Sequence, residues 1–289
     1  MHADRHTSLC APTWMRLAWG LLAGVTGTLG AGGRGYFVLD VTNPTATTAP
    51  SGSAPAFTEA NAASLVKLDR TRGPSEPAPN CGAMSGTEKT TCLQVVEEDK
   101  DIGHITAKPV RDDNDAMRST QITRMNNNRW AVVLGNGYNS ANQRPVLLVQ
   151  YLDGAKELLR IPVTTETAGI GNATDNGLAA PRVVDINGDG RTDVVYAGDN
   201  LGNLWKFDLS AADRTAWKVY CEDGAGVKPP LFQARSEAGY RQPITIQPVI
   251  TSACPYNEKG YTILFGTGRI LNPDVDFLDQ SVQTVYGIW

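Results

Sequence analysis

The densest chemistry in the chain lies in Asp185-Ile186-Asn187-Gly188-Asp189-Gly190-Arg191-Thr192-Asp193. With Asp185 as position 1, oxygen-bearing side chains fall at positions 1, 3, 5 and 9: Asp185, Asn187, Asp189 and Asp193. Gly190 stands at position 6, where a wrapped loop must turn sharply, and Arg191 at position 7 can offer its backbone carbonyl. A calcium ion takes roughly six to eight hard oxygen ligands, and alternate positions of one wrapped segment aim such oxygens inward. Three carboxylates this close repel one another without a cation, which a bound metal would explain. The spacing therefore predicts a Ca2+ loop with Asp185, Asn187, Asp189, the Arg191 carbonyl and Asp193 as ligands. Magnesium, which demands a tight octahedron and keeps its waters, suits the pattern less well. The bland alternative is an acidic Asp/Gly turn without metal.

The loop is not a helix–loop–helix site. Position 12 is Tyr196, so the bidentate glutamate of that motif is missing, and Val194-Val195-Tyr196-Ala197 reads as a strand. The ligands must then be positioned by a sheet. Arg129-Trp130-Ala131-Val132-Val133-Leu134 is a strand run ending at Gly135-Asn136-Gly137, and Pro145 to Tyr151 is a second, followed by an Asp153-Gly154 turn. The phrase recurs as Asp193 to Ala197 ending at Gly198-Asp199, followed by Gly202 to Leu209. It recurs again as Tyr261 to Gly268, followed by Gln283 to Trp289. The run Gly35 to Val41 reads as the second half of an earlier copy. Copies on the order of 60 residues apart predict an all-β fold, a modified and incomplete β-propeller with long inserted loops. A plain antiparallel sandwich is the competing architecture. The expected division is an irregular or signal-like start over 1–26 and the propeller over 27–289. Residues 45–64 and 70–92, rich in Ser, Thr, Ala, Pro and Gly, read as loops.

Composition narrows the function. A net charge of -4 and a sequence pI near 5.4 offer no basic surface for phosphates, so no nucleic-acid partner is expected. Of the five cysteines, none forms a CxxC, which argues against zinc. Cys81 and Cys92 frame a candidate disulfide, Cys221 and Cys254 a second, leaving Cys10 over. Met15-Arg16 followed by Leu17 to Val25 has the outline of a signal peptide, yet runs straight into the strand after Gly35. The histidines, His2, His6 and His104, have no evident catalytic partner, and no GxSxG, Walker or HExxH motif is present. We expect no enzyme. A quinone-dependent, calcium-using propeller dehydrogenase is the distant alternative, but it would need stacking aromatics and an acid/base beside the metal. Trp130 and Trp205 read as strand core residues instead.

The continuous segment Asp185 to Leu209, including Gly202-Asn203-Leu204-Trp205, resembles the signature of the PilC/PilY family of type IV pilus biogenesis and tip-associated adhesin proteins. Gly32 to Thr42, Trp130 to Asn139 and Leu264 to Arg269 are similar to other segments of that family. The resemblance implies a C-terminal β-propeller with calcium in the 185–193 loop, whose occupancy is tied to pilus extension versus retraction. It also implies an extracytoplasmic site at the outer membrane surface or pilus tip (the fimbrium). The implied partners are the pilus machinery or minor pilins, with a host-surface receptor for adhesion. Against this resemblance, the long N-terminal adhesive region of the family is expected to be missing from this sequence. A calcium-dependent adhesion module with no pilus role is the alternative reading.

Overall fold

The computed structural model describes residues 16–17, 20–21, 24–43, 55–73, 77–106, 122–163, 176–220, 229–252, 260–271 and 273–289. Among them, a two-stranded ribbon precedes four larger sheets. The first sheet joins Gly24–Thr28, Tyr36–Asp40 and Val66–Asp69. The second is an antiparallel meander of Ile122–Met125, Trp130–Gly135, Val146–Tyr151 and Leu158–Pro162. In the third, Arg182–Val184, Val194–Gly198 and Asn203–Asp208 are antiparallel, and Lys218–Val219 and Phe232–Gln233 share the outer edge. Val249–Ser252, Tyr261–Gly266 and Val285–Ile288 make the fourth.

The uninterrupted apolar runs follow from how these sheets stack. Successive strand residues point to opposite faces, and an interior sheet buries both. Val132 and Leu134 pack with Tyr36 and Val38 of the first sheet, while Ala131 and Val133 pack with Val195, Trp205 and Phe207 of the third. On the third sheet's other face, Val194, Tyr196 and Leu204 meet Ile263 and Phe265 of the fourth. Sheets stacked face to face, each built from a consecutive stretch of chain apart from one two-residue strand lent to the second, are the arrangement of propeller blades. Fully burying a side chain of the Phe207 class contributes about 2–3 kcal/mol, so the seams carry most of the cohesion.

One rim of the stack is stitched by backbone. The segments leading into the second, third and fourth sheets hydrogen-bond to a turn of the preceding sheet and to a turn of the sheet they enter. Gly35 N donates to Gly103 O and Gly103 N to Asn136 O. Gly137 N donates to Leu178 O and Ala179 N to Gly198 O. Ile244 N donates to Asp199 O and Gly268 N to Pro243 O. These approaches are close enough to require glycine: a Cβ on Gly135 would lie 2.0 Å from Ala179 O, and one on Gly198 would lie 2.2 Å from the Ile244 side chain.

Several expectations are corrected. Residues 70–92 are not simply a loop: Gly86–Asp99 is an α-helix. Its sequence has no apolar stripe, and only Glu98 is buried. The Cys81–Cys92 disulfide holds its start. Arg70, paired with Glu98 and Asp99, and Arg72, paired with Asp99, hold its end. Leu158–Pro162 and Arg182–Val184 are further strands beyond the two-strand phrase read from the sequence. Gly24–Thr28 pairs along Tyr36–Asp40, so the last residues of the signal-like stretch belong to the first sheet. Cys10, Cys221 and Cys254, and so the second candidate bridge, lie outside the described residues, as does the early part of the 45–64 loop.

Candidate metal site

The 185–193 loop sits at the rim opposite the glycine stitches, between Arg182–Val184 and Val194–Gly198, which pair directly with each other. Its shape comes from its own side chains. Asp185 Oδ1 accepts from Gly188 N at 2.7 Å and Asp189 N at 3.2 Å, and Oδ2 accepts from Gly190 N at 2.7 Å. Asn187 Oδ1 accepts from Asp189 N, and Asp189 Oδ1 from Arg191 N, both at 2.9 Å. Gly188 and Gly190 take φ of 78° and 81°, a left-handed backbone at which a side chain is strained. Acidic and amide side chains folding onto following N–H groups, with glycine at the reversals, explain why this composition wraps.

The last two positions differ from the rest. Arg191–Thr192 leaves the third sheet and pairs in parallel with Arg124–Met125 of the second. Asp193 is buried, its Oδ2 accepting from Ile186 N at 2.9 Å and its Oδ1 from Asn126 Nδ2 at 3.0 Å. The same Asn126 amide lies within hydrogen-bond distance of Thr192 O and Leu209 O, at 2.9 and 3.0 Å. Thr123 and Thr192 hydroxyls meet at 2.8 Å. The loop is therefore the junction of two sheets, a role its spacing did not announce. Asn126, Thr123 and Asn128 were missed by sequence reasoning, and the Asn126-Asn127-Asn128 turn after a strand was the available signal.

Arg191 places a positive charge on the loop. Its guanidinium donates to Asp189 Oδ2 at 2.6 Å and to Asn128 Oδ1 of the second sheet at 2.8 Å. The hydrogen bond from that side chain, first of all, holds the Asp189 carboxyl below the usual range. Asp185, Asn187 and Asp189 are exposed and near one another in sequence, whereas Asp193 is buried at the loop's base. Among the described residues, no three acidic, histidine or cysteine side chains converge as a metal cluster. The donor set consists wholly of carboxylate, amide and carbonyl oxygens, and that chemistry fits a hard divalent cation such as calcium.

A second polar centre lies at the stitched rim. Asp199 is fully buried and accepts from the amides of Leu201 and Asn203 and the side chains of Asn203, Trp205 and Asn176, at 2.9–3.2 Å. Burial pushes its carboxyl up, and the donors from Asn203, Trp205 and Asn176 oppose the shift. In the preceding sheet Asn136 does the same job, its Oδ1 accepting from Val146 N and Leu178 N at 3.0 and 2.9 Å. Trp205 is thus a core residue, as expected, with its indole N–H satisfied by Asp199. His104 is half-buried, stacked on Tyr138 with ring centroids 5.3 Å apart, its Nδ1 3.1 Å from Gly30 O.

Consecutive sheets stacked face to face, stitched by turn glycines at one rim, define a β-propeller-type module. The family model described as the PilY1 β-propeller domain matches residues 98–289. The chain belongs to the PilY1 β-propeller family. It is 33% identical over 271 residues to a type IV pilus biogenesis factor PilY1 homolog of Xylella fastidiosa, covering 92% of this chain and 15% of that protein. It is 32% identical over 275 residues to the type IV pilus biogenesis factor PilY1 of Pseudomonas aeruginosa PAO1, covering 91% of this chain and 19% of that protein. The crystal structure of the Pseudomonas aeruginosa PilY1 C-terminal domain superposes with a TM-score of 0.64 at 28% identity, over 93% of this chain and 46% of that one. The chain therefore spans less than a fifth of the length of these curated relatives.

Proposed function

We propose that this chain is a calcium-organised propeller module that supports type IV pilus biogenesis, with surface adhesion as an associated role. The observation that carries the reading is the fold-wide match to PilY1, whose curated relatives are named as type IV pilus biogenesis factors. The Cys81–Cys92 disulfide favours an oxidising, extracytoplasmic setting at the cell surface or pilus tip. Pilus machinery or minor pilins are the partners this reading calls for, with a host-surface receptor where adhesion is involved. The role is binding and assembly rather than catalysis. The Ca2+ ligands on this reading are Asp185, Asn187, Asp189, the Arg191 carbonyl and Asp193; the ion would neutralise their charge and brace the junction of the second and third sheets.

Two measurements test the reading. Deletion of the gene, with piliation and attachment scored separately, should reduce piliation; normal pili with lost attachment would leave a stand-alone adhesion module instead. Calcium should raise the melting temperature of the purified chain, and Asp185→Ala with Asp193→Ala should abolish the rise. Melting that ignores calcium in the unaltered chain would sink the metal assignment.

A further inference from the structure

We propose that the Arg191 guanidinium is a tethered counter-ion that competes with calcium for Asp189 and, through Asn128, couples occupancy of the loop to the seam between the second and third sheets. The proposal rests on the calcium reading above.

The geometry makes one side chain answerable to two elements. Arg191 donates through one terminal nitrogen to Asp189 Oδ2 at 2.6 Å, inside the loop, and through the other to Asn128 Oδ1 at 2.8 Å, in the turn between Ile122–Met125 and Trp130–Gly135. Its own backbone is pinned to the second sheet, because Arg191 pairs with Arg124. The Nε atom is buried without a hydrogen-bond partner, so the group is held by its two terminal nitrogens. The Arg191 side chain is 30% exposed and that of Asp189 33%, which keeps their attraction modest and salt-sensitive.

A cation drawn to Asp189 meets a positive charge already there. One carboxylate satisfied by a divalent ion has less need of a guanidinium, and two cations on one oxygen pair repel. Calcium therefore weakens the Arg191–Asp189 contact, and the arm that also holds Asn128 is the part free to respond. The backbone carbonyl at 191 is untouched by a side-chain change, so Arg191→Gln removes the competitor without removing a ligand. Gln ends at the level of Nε, short of the terminal nitrogens, so the contacts to Asp189 and Asn128 go with the charge, and the unfolding curve of the variant reports that cost.

The test is calorimetric calcium titration of the full chain, unaltered, Arg191→Gln and Arg191→Lys, at low and physiological salt, with folding of each variant checked by its unfolding curve. Hydrogen exchange at residues 126–130 with and without calcium supplies a second readout. Arg191→Gln should bind calcium about two- to fivefold more tightly, as expected for losing an exposed ion pair worth up to about 1 kcal/mol, and the gain should shrink with salt. Arg191→Lys should stay near the unaltered chain. Exchange in the 126–130 turn should respond to calcium more strongly in the unaltered chain than in Arg191→Gln, where the Asn126–Asp193 contact alone still ties the turn to the loop. Equal or weaker affinity in Arg191→Gln, or a turn indifferent to calcium in the unaltered chain that nonetheless binds it, overturns the competitor role alone. No calcium binding by the unaltered chain overturns the metal reading and this proposal together.

Discussion

Asn126 Nδ2 lies 3.0 Å from Asp193 Oδ1, joining a turn of the second sheet to the buried end of the acidic loop. The same amide reaches Thr192 O and Leu209 O, so one side chain closes the seam across three segments. Asn126→Ala would remove the two N–H groups that Asp193 and the two carbonyls share at a part-buried position, at a cost of about 1–3 kcal/mol. Urea unfolding should show a lower midpoint with little change in slope, and Asn126→Asp, which places a second carboxylate against Asp193, should be worse.

Trp205→Phe isolates the polar part of a core residue. Phenyl fills most but not all of the indole's space, while Asp199 loses the indole donor at 2.9 Å. We expect a loss of about 1–3 kcal/mol, more than a volume change of this kind usually costs where no hydrogen bond is broken. Chemical denaturation compared with Phe207→Leu, which removes ring surface in the same cluster but no hydrogen bond, would separate the two contributions.

Acid should act through Glu157. Hydrogen bonding by Arg129, with a further bond from Arg214, lowers its pKa from 4.5 to about 2. The folded value lies below the unfolded one, so the contribution is complete above pH 4.5 and is lost as pH falls through about 2. The group is partly open to solvent, which reduces the expected effect to about 1 kcal/mol. The melting temperature of the unaltered chain should fall over this window more steeply than that of Glu157→Gln.

The helix at Gly86–Asp99 should depend on its disulfide. The bonded cysteines are 11 residues apart, and closing a loop of this order contributes about 2–3 kcal/mol in the chain-entropy model. Cys92→Ser should lower global stability and raise hydrogen exchange through the helix. Exchange in Val146–Tyr151, buried in the seams, should change far less.

What the sequence made legible is tied to signals that are local. The loop's turns are written in Asp185, Asn187, Gly188 and Gly190 because each side chain bonds a backbone group a few residues on. The strands of the inner sheets were visible because burial on both faces leaves unbroken runs such as Ala131 to Leu134. The helix was not visible, because bonds from Arg70, Arg72 and Cys81 hold it rather than an apolar stripe. Nor was the excursion of Arg191–Thr192 to the second sheet, since a two-residue parallel pairing to a partner some 67 residues earlier leaves no periodicity to read. The ligand pattern fixed which oxygens are near in sequence; it could not say that Asp193 would be buried among donors from another sheet.

The stitched rim and the acidic loop make the seam between the second and third sheets behave like a bound book with a clasp. At the spine, backbone bonds at Gly137–Leu178 and Ala179–Gly198 lie directly on the chain path linking the two sheets. At the opposite margin, among the described residues, the covers are fastened by Asn126, Thr123, Asn128 and the short Arg191–Thr192 pairing. Tension that pries the two sheets apart from that side meets the clasp first and the spine last. The loop's own chemistry, rather than the apolar interior, then sets how much pull the module bears before it begins to open.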